Sequence, residues 1–147
     1  MKITQALQAE HVVYHNLFDH VEKTAPRLRT LAEVRTLARL LARMLEVHSL
    51  VEDELLVEPL EPSLHQLGQH ESFHGEHEEM DRLLAGVQTT RSVAAARQML
   101  TRAVHLCRRH FDKEERLVFP LAEKVLSEKT LADLGRRWER QRQNLVA

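Results

Sequence analysis

Aromatic side chains make up only 4% of this sequence, glycine and proline occur four times each, and cysteine occurs once. A lone cysteine, Cys107, cannot close an internal disulfide and fits a reducing compartment. Long apolar runs are missing, so no stretch reads as a membrane span, and Met1-Lys2-Ile3-Thr4-Gln5 lacks the charged-then-apolar plan of a secretory signal. The cytoplasm is the expected location. Charge of one sign is missing too: 21 Lys+Arg against 22 Asp+Glu leave a net charge of -1, and the basic residues are spread along the chain. Without a basic arm or stripe, neither nucleic acid nor a membrane is an expected partner. What is abundant is histidine, at ten in 147 residues, a length that suits one domain.

With few helix breakers and much Leu, Ala, Glu, Arg and Gln, the chain favours helix almost throughout. The predicted fold is all-α, an up-down four-helix bundle over about residues 4–126 with a short additional C-terminal helix over about 129–145, the whole of 1–147 forming a single domain. The first helix carries Leu7, His11, Tyr14, Leu17, Phe18 and Val21 on one stripe and stops near Pro26. The second opens at a Thr30/Glu33 capping box, runs through Leu41, Met44, His48 and Leu55, and is expected to close at Pro59 and Pro62. The third is expected to begin after Pro62, with Gly68 and Gly75 weakening its first half, and to end near Thr89. The fourth, capped near Ser92, carries Leu100, Val104, Cys107 and His110, and Pro120 kinks or ends it. The C-terminal helix is expected to pack across one end, its Arg136, Arg137, Arg140 and Arg142 making a solvated face.

The histidines sit in an internal repeat. Glu10-His11 on the first helix aligns with Glu76-His77 on the third, and Tyr14, Leu17, Phe18 and Val21 then fall opposite Met80, Leu83, Leu84 and Val87. His48-x-x-x-Glu52 on the second helix aligns with His110-x-x-x-Glu114 on the fourth, each followed by an acid, an apolar pair and a proline: Asp53, Leu55, Leu56 and Pro59; Glu115, Leu117, Val118 and Pro120. The chain reads as two helical hairpins, each with one histidine on its first helix and a His-x-x-x-Glu on its second. Residues four apart on a helix differ by about 40° in direction and about 6 Å in height, so the His and Glu of each pair can reach one cluster. A pseudo-twofold would then converge four histidines and two glutamates. Two metal ions sharing a site lie about 3.5–4 Å apart, a span a carboxylate can bridge while imidazoles cap the outer sides. Carboxylates on the inward stripes would be costly to bury without such partners.

These residues resemble those of the hemerythrin-like HHE cation-binding family. The likeness spans about Ala6 to Val125 and is most specific in His110-Phe111-Asp112-Lys113-Glu114-Glu115-Arg116-Leu117-Val118-Phe119-Pro120. It implies His11, His48, His77 and His110 as terminal ligands and Glu52 and Glu114 as bridges of two non-haem iron ions joined by an oxo or hydroxo group, with zinc and manganese as weaker occupants. The chain departs from the oxygen-carrying members, which have five histidines, two of them His-x-x-x-His on the third helix, and an aspartate five residues after the fourth-helix histidine. His74, about 4.5 Å below His77 along its helix, is a candidate fifth imidazole. A register shifted to His70 and His74 is the alternative. His15 is either an extra ligand or a second-shell partner, while His20, His65 and His105 read as surface or boundary residues. The resemblance implies a protein that binds or senses dioxygen or a related small molecule such as nitric oxide or peroxide. Alternatives are a di-iron enzyme or iron-handling protein acting on peroxide, nitric oxide or damaged iron-sulfur proteins, and a metal-free helical interaction module. A homodimer is left open.

Overall fold

A computed structural model describes residues 1–146, apart from the side chains of His70 and Val146. It is all-helical among the described residues: α1 (Ile3–Thr24), α2 (Leu31–Glu52), α3 (Glu58–Gln66), α4 (His70–Thr89), α5 (Val93–Lys113), α6 (Phe119–Val125) and α7 (Glu128–Val146). Two π-helical segments, Asp53–Val57 and Glu114–Val118, join α2 to α3 and α5 to α6, so these pairs form two long rods. Five helical rods result, four in a bundle and α7 appended. Thr30 Oγ1 and Ser92 Oγ cap α2 and α5, accepting from Glu33 N–H and Ala95 N–H at 3.2 Å each, but the Glu33 carboxylate reaches back to Arg29 N–H at 3.0 Å rather than to Thr30, so the expected capping box does not close. No described helix is long and apolar enough to cross a membrane.

The second rod corrects the expected boundary. Pro59 and Pro62 do not close it; it continues to Gln66, and the next helix begins only at His70. The reason lies in the π turns. At the end of each, the backbone N–H reaches back five residues, Glu58 to Asp53 and Phe119 to Glu114. The very next residue is a proline, Pro59 or Pro120, placed where the wide turn has already disturbed the ordinary i→i−4 ladder and a missing N–H does least harm. The true stop is Gly68, with φ +67°, whose turn lets Gly68 N–H reach His65 O and Gln69 N–H reach Leu64 O, both at 3.0 Å. Gly68 therefore ends one helix rather than weakening the next.

Two apolar clusters fill the bundle. One gathers Tyr14, Phe18, Leu41, Leu84, Leu100, Cys107 and Phe111. The other gathers Ile3, Leu7, Leu55, Leu56, Leu60, Phe73, Phe119 and Leu131. Along every bundle rod the candidate histidines and glutamates fall at the junction between the two clusters, at His11, at His48 and Glu52, at His77, and at His110 and Glu114. A polar layer thus crosses the middle of an apolar bundle, walled off from water at both ends.

The appended helix lies along the first half of α1, with Leu131 and Leu134 buried against the second cluster. Gly135 permits that approach, since a Cβ there would stand 2.0 Å from the Met1 carbonyl oxygen.

Candidate metal centre

Each π segment begins at or just after a glutamate of the polar layer: Asp53 follows Glu52, and Glu114 opens the second. The extra residue per turn lets the glutamate face the layer while Leu55, Leu56 and Val57, three in succession, are all buried beyond it.

His11, His48, Glu52, His110 and Glu114 are at most 1% exposed. Two groups of four form among them and His77: His11, His48, Glu52 and Glu114; and His77, His110, Glu52 and Glu114, the donor atoms of each group lying within 4.8 Å of one another. The same two glutamates belong to both. Glu114 directs Oε2 at His11 Nε2, 3.0 Å away, and Oε1 at His110 Nε2. Glu52 Oε2 stands 4.0 Å from both His48 Nε2 and His77 Nε2. Each carboxylate therefore spans from one histidine pair to the other.

Outward of the layer, three imidazoles are pinned by acids. His48 Nδ1 lies 2.6 Å from Glu10 Oε2, His110 Nδ1 2.5 Å from Glu76 Oε2, and His11 Nδ1 2.9 Å from Glu115 Oε1. Carboxylates accept, so each Nδ1–H donates and each Nε2 is left facing inward. There, His11 Nε2, His48 Nε2 and all four oxygens of Glu52 and Glu114 make no hydrogen bond despite full burial. Buried polar atoms without partners are rare in folded chains, and a ring of inward lone pairs on imidazoles and carboxylates is the donor set of a divalent cation site. The residues present thus fit two cations, each with two imidazoles of its own and two shared carboxylates.

Charge is finely divided in the layer. Burial and then the neighbouring Glu114 push the Glu52 carboxyl well above its usual range. Burial acts the same way on Glu114, but the charge of His110 and the close approach of the His11 and His110 rings outweigh it and hold Glu114 well below that range. Against burial, Glu114 and Glu76 raise His110 to about 9, whereas burial and the charge of His110 lower His77 to about 4. His77 Nε2 and His110 Nε2 face each other at 2.7 Å. The outer acids Glu10 and Glu76 stay ionised: burial raises them, but His48 with Arg142, and His110 with Lys113, bring them below the usual value.

A cavity of about 260 Å³ opens between α2 and α4 onto His48, Glu52, His77 and His110, with Met80 and Phe111 as apolar walls. It is wide enough for a diatomic molecule or peroxide. His74 lines this cavity and belongs to neither group of four, and His77, not His74, faces Glu52 and His110. The alternative register involving His70 falls on a side chain outside the described residues. His15 lies outside both groups of four: its Nε2 is 3.9 Å from Glu115 Oε1 and its Nδ1 accepts from Arg108 at 3.2 Å. His20, His65 and His105 are exposed. Cys107 is buried in the core, with Sγ 3.1 Å from Met80 Sδ, and burial pushes its thiol up to about 12. Tyr14 is taken up by Met44 O, which accepts its hydroxyl at 2.5 Å.

The outer acids are the residues that spacing alone did not single out as functional, although the repeat carries their signal: Glu10 and Glu76 each precede a histidine of the layer, and Glu115 follows Glu114. A second revision concerns the arginine-rich helix. Arg136, Arg137 and Arg140 are exposed as expected, but Arg142 is half-buried and donates through Nε to Glu10 Oε1 at 2.6 Å.

Compared with known families, residues 2–122 match the model described as the hemerythrin HHE cation binding domain. No curated protein and no solved structure gave a significant match.

Proposed function

The chain belongs to the hemerythrin HHE cation-binding domain family, and from that premise we propose that its buried His/Glu layer holds two iron ions at which dioxygen, or a related small molecule such as nitric oxide or peroxide, is bound or sensed. His11 and His48 serve one ion, His77 and His110 the other, and Glu52 and Glu114 are common to both. The observation that supports this most is the sharing of the same two fully buried glutamates by two groups of donors. His74, at the cavity, is assigned to the path of the small molecule rather than to either ion. The single domain is proposed to work in the cytoplasm.

Bound iron would supply electrons and an open position for a diatomic ligand. The chain supplies the rest. Glu10, Glu76 and Glu115 fix the tautomer and direction of His48, His110 and His11, so that little reorganisation accompanies binding. Phe111 stacks on the His11 ring at 3.8 Å, 2° from parallel, and Phe73 lies 4.7 Å from the His110 ring. These faces keep water from the histidines and leave the α2/α4 cavity as the approach.

The test is the metal content of anaerobically purified protein, followed by oxygen addition under a visible spectrometer. Two irons per chain and an absorption band that appears with oxygen and bleaches on its removal are expected. Absence of iron even after reconstitution would overturn the proposal, and rapid autoxidation with peroxide turnover would replace binding or sensing with catalysis.

A further inference from the structure

The two halves of the layer are braced differently. In the second half, Glu76 holds His110, and Glu76 Oε1 is itself held by Lys113 Nζ at 3.1 Å, from within the bundle. In the first half, Glu10 holds His48 in the matching way. The repeat that pairs His48 with His110 pairs Lys113 with Val51, a buried apolar side chain that cannot hold a carboxylate. The missing support comes from α7: Arg142 Nε and Trp138 Nε1 donate to Glu10 Oε1 at 2.6 and 3.0 Å. Both residues lie beyond position 122, where the family match ends.

We propose that α7 is a latch on the metal centre, with Trp138 and Arg142 as positioning residues that fix Glu10 and, through it, the imidazole of His48, so that the appended helix sets how firmly the ion on the His11/His48 side is held. This rests on the two-ion reading above. Further contacts seat the latch in place. Arg137 and Gln141 donate to the two oxygens of Glu54, at 2.6 and 2.9 Å, two residues beyond Glu52 on the same rod. Gly135 allows the close approach to Met1. The Arg142–Glu10 pair is only 21% and 15% exposed, so solvent screens it little. An ionised Glu10 held on one oxygen presents the other to His48 Nδ1–H, which keeps His48 Nε2 turned inward; released, it would leave the imidazole free to turn.

The experiment uses the full-length, iron-loaded protein and follows iron loss to a chelator, alongside the visible spectrum and, in the variants that keep it, the emission of Trp138, the sole tryptophan. Outer-shell substitutions weaken metal binding by roughly 10–100-fold. The Trp138→Phe/Arg142→Ala double variant should therefore release one iron of two at least about tenfold faster, with the second near the wild-type rate. Arg142→Lys should recover part of the loss. Lys113→Ala, the mirror change, should loosen the other iron. If the double variant does not fold, Arg142→Met alone decides by the same release rates. Wild-type release of both irons from a folded variant, or equal acceleration of both, would overturn the latch while leaving the two-ion reading intact. A wild-type protein that takes up no iron would defeat that reading and the latch with it.

Discussion

Glu52→Gln should change the stability of the chelator-treated protein and of the iron-loaded protein in opposite directions. Glu52 is fully buried, neither oxygen has a hydrogen-bond partner, and burial beside Glu114 pushes its carboxyl well above the ordinary 4.5. The folded chain therefore retains a proton that the unfolded chain gives up. A carboxyl whose folded value is raised weakens the fold as pH rises above its unfolded value, by about 1.4 kcal/mol per pH unit for as long as the folded form keeps the proton. The loss accumulates over that range against the roughly 5–15 kcal/mol that keeps a domain folded. Glutamine has nearly the same shape and never titrates, and both side chains bury an unpaired polar group, so these contributions largely cancel. Urea denaturation after chelation should find Glu52→Gln level with wild type near pH 4.5 and increasingly more stable than wild type as pH rises from there. Added ferrous iron should reverse the order, because the amide cannot supply the shared negative charge. A variant less stable than wild type at pH 7 without metal, or a difference that does not grow with pH, would refute the reasoning.

Other expectations follow from the same geometry. Iron uptake at pH 7 should release protons, since His110, raised to about 9, must lose its proton to coordinate; affinity should climb as pH rises towards 9, and uptake without proton release in an indicator-dye assay would count against this ligand. The raised His110 contributes stability that is complete below pH 6.5 and lost as pH rises through 9, while the lowered His77 weakens the fold as pH falls from 6.5 to about 4. Chelated protein should therefore be most urea-resistant near pH 6.5 as far as these two groups decide it, and a flat profile from pH 4 to 9 would contradict the assignment. Phe111→Ala, which removes a buried ring stacked on His11, should lower stability by about 3–5 kcal/mol in denaturant titration, and a loss below about 1 kcal/mol would show that the ring does not pack as described.

The fold was legible because helix is a local signal: apolar spacing, Thr30, Ser92 and the shortage of glycine mark the rods directly. The repeat of His11 with His77, and of His48 and Glu52 with His110 and Glu114, was legible because a single helix face fixes which residues can converge. Pro59 and Pro62 misled, since proline ordinarily ends a helix, and the π turn that accommodates Pro59 depends on what the whole rod packs against. Gly68 looked like a flaw in a helix until its positive φ made it a terminator. Least legible was the bracing of Glu10. Trp138 and Arg142 lie about 130 residues from it in sequence, and no periodicity of α7 indicates which carboxylate its polar side chains will meet.

The central claim, that two ions share Glu52 and Glu114, is tested most directly by Mössbauer spectroscopy of protein loaded with isotopically enriched iron. The account predicts two iron sites per chain in equal proportion and magnetically coupled, with the coupling lost in both Glu52→Ala and Glu114→Ala. A single uncoupled iron in the wild type, or an intact coupled pair in either variant, would contradict it.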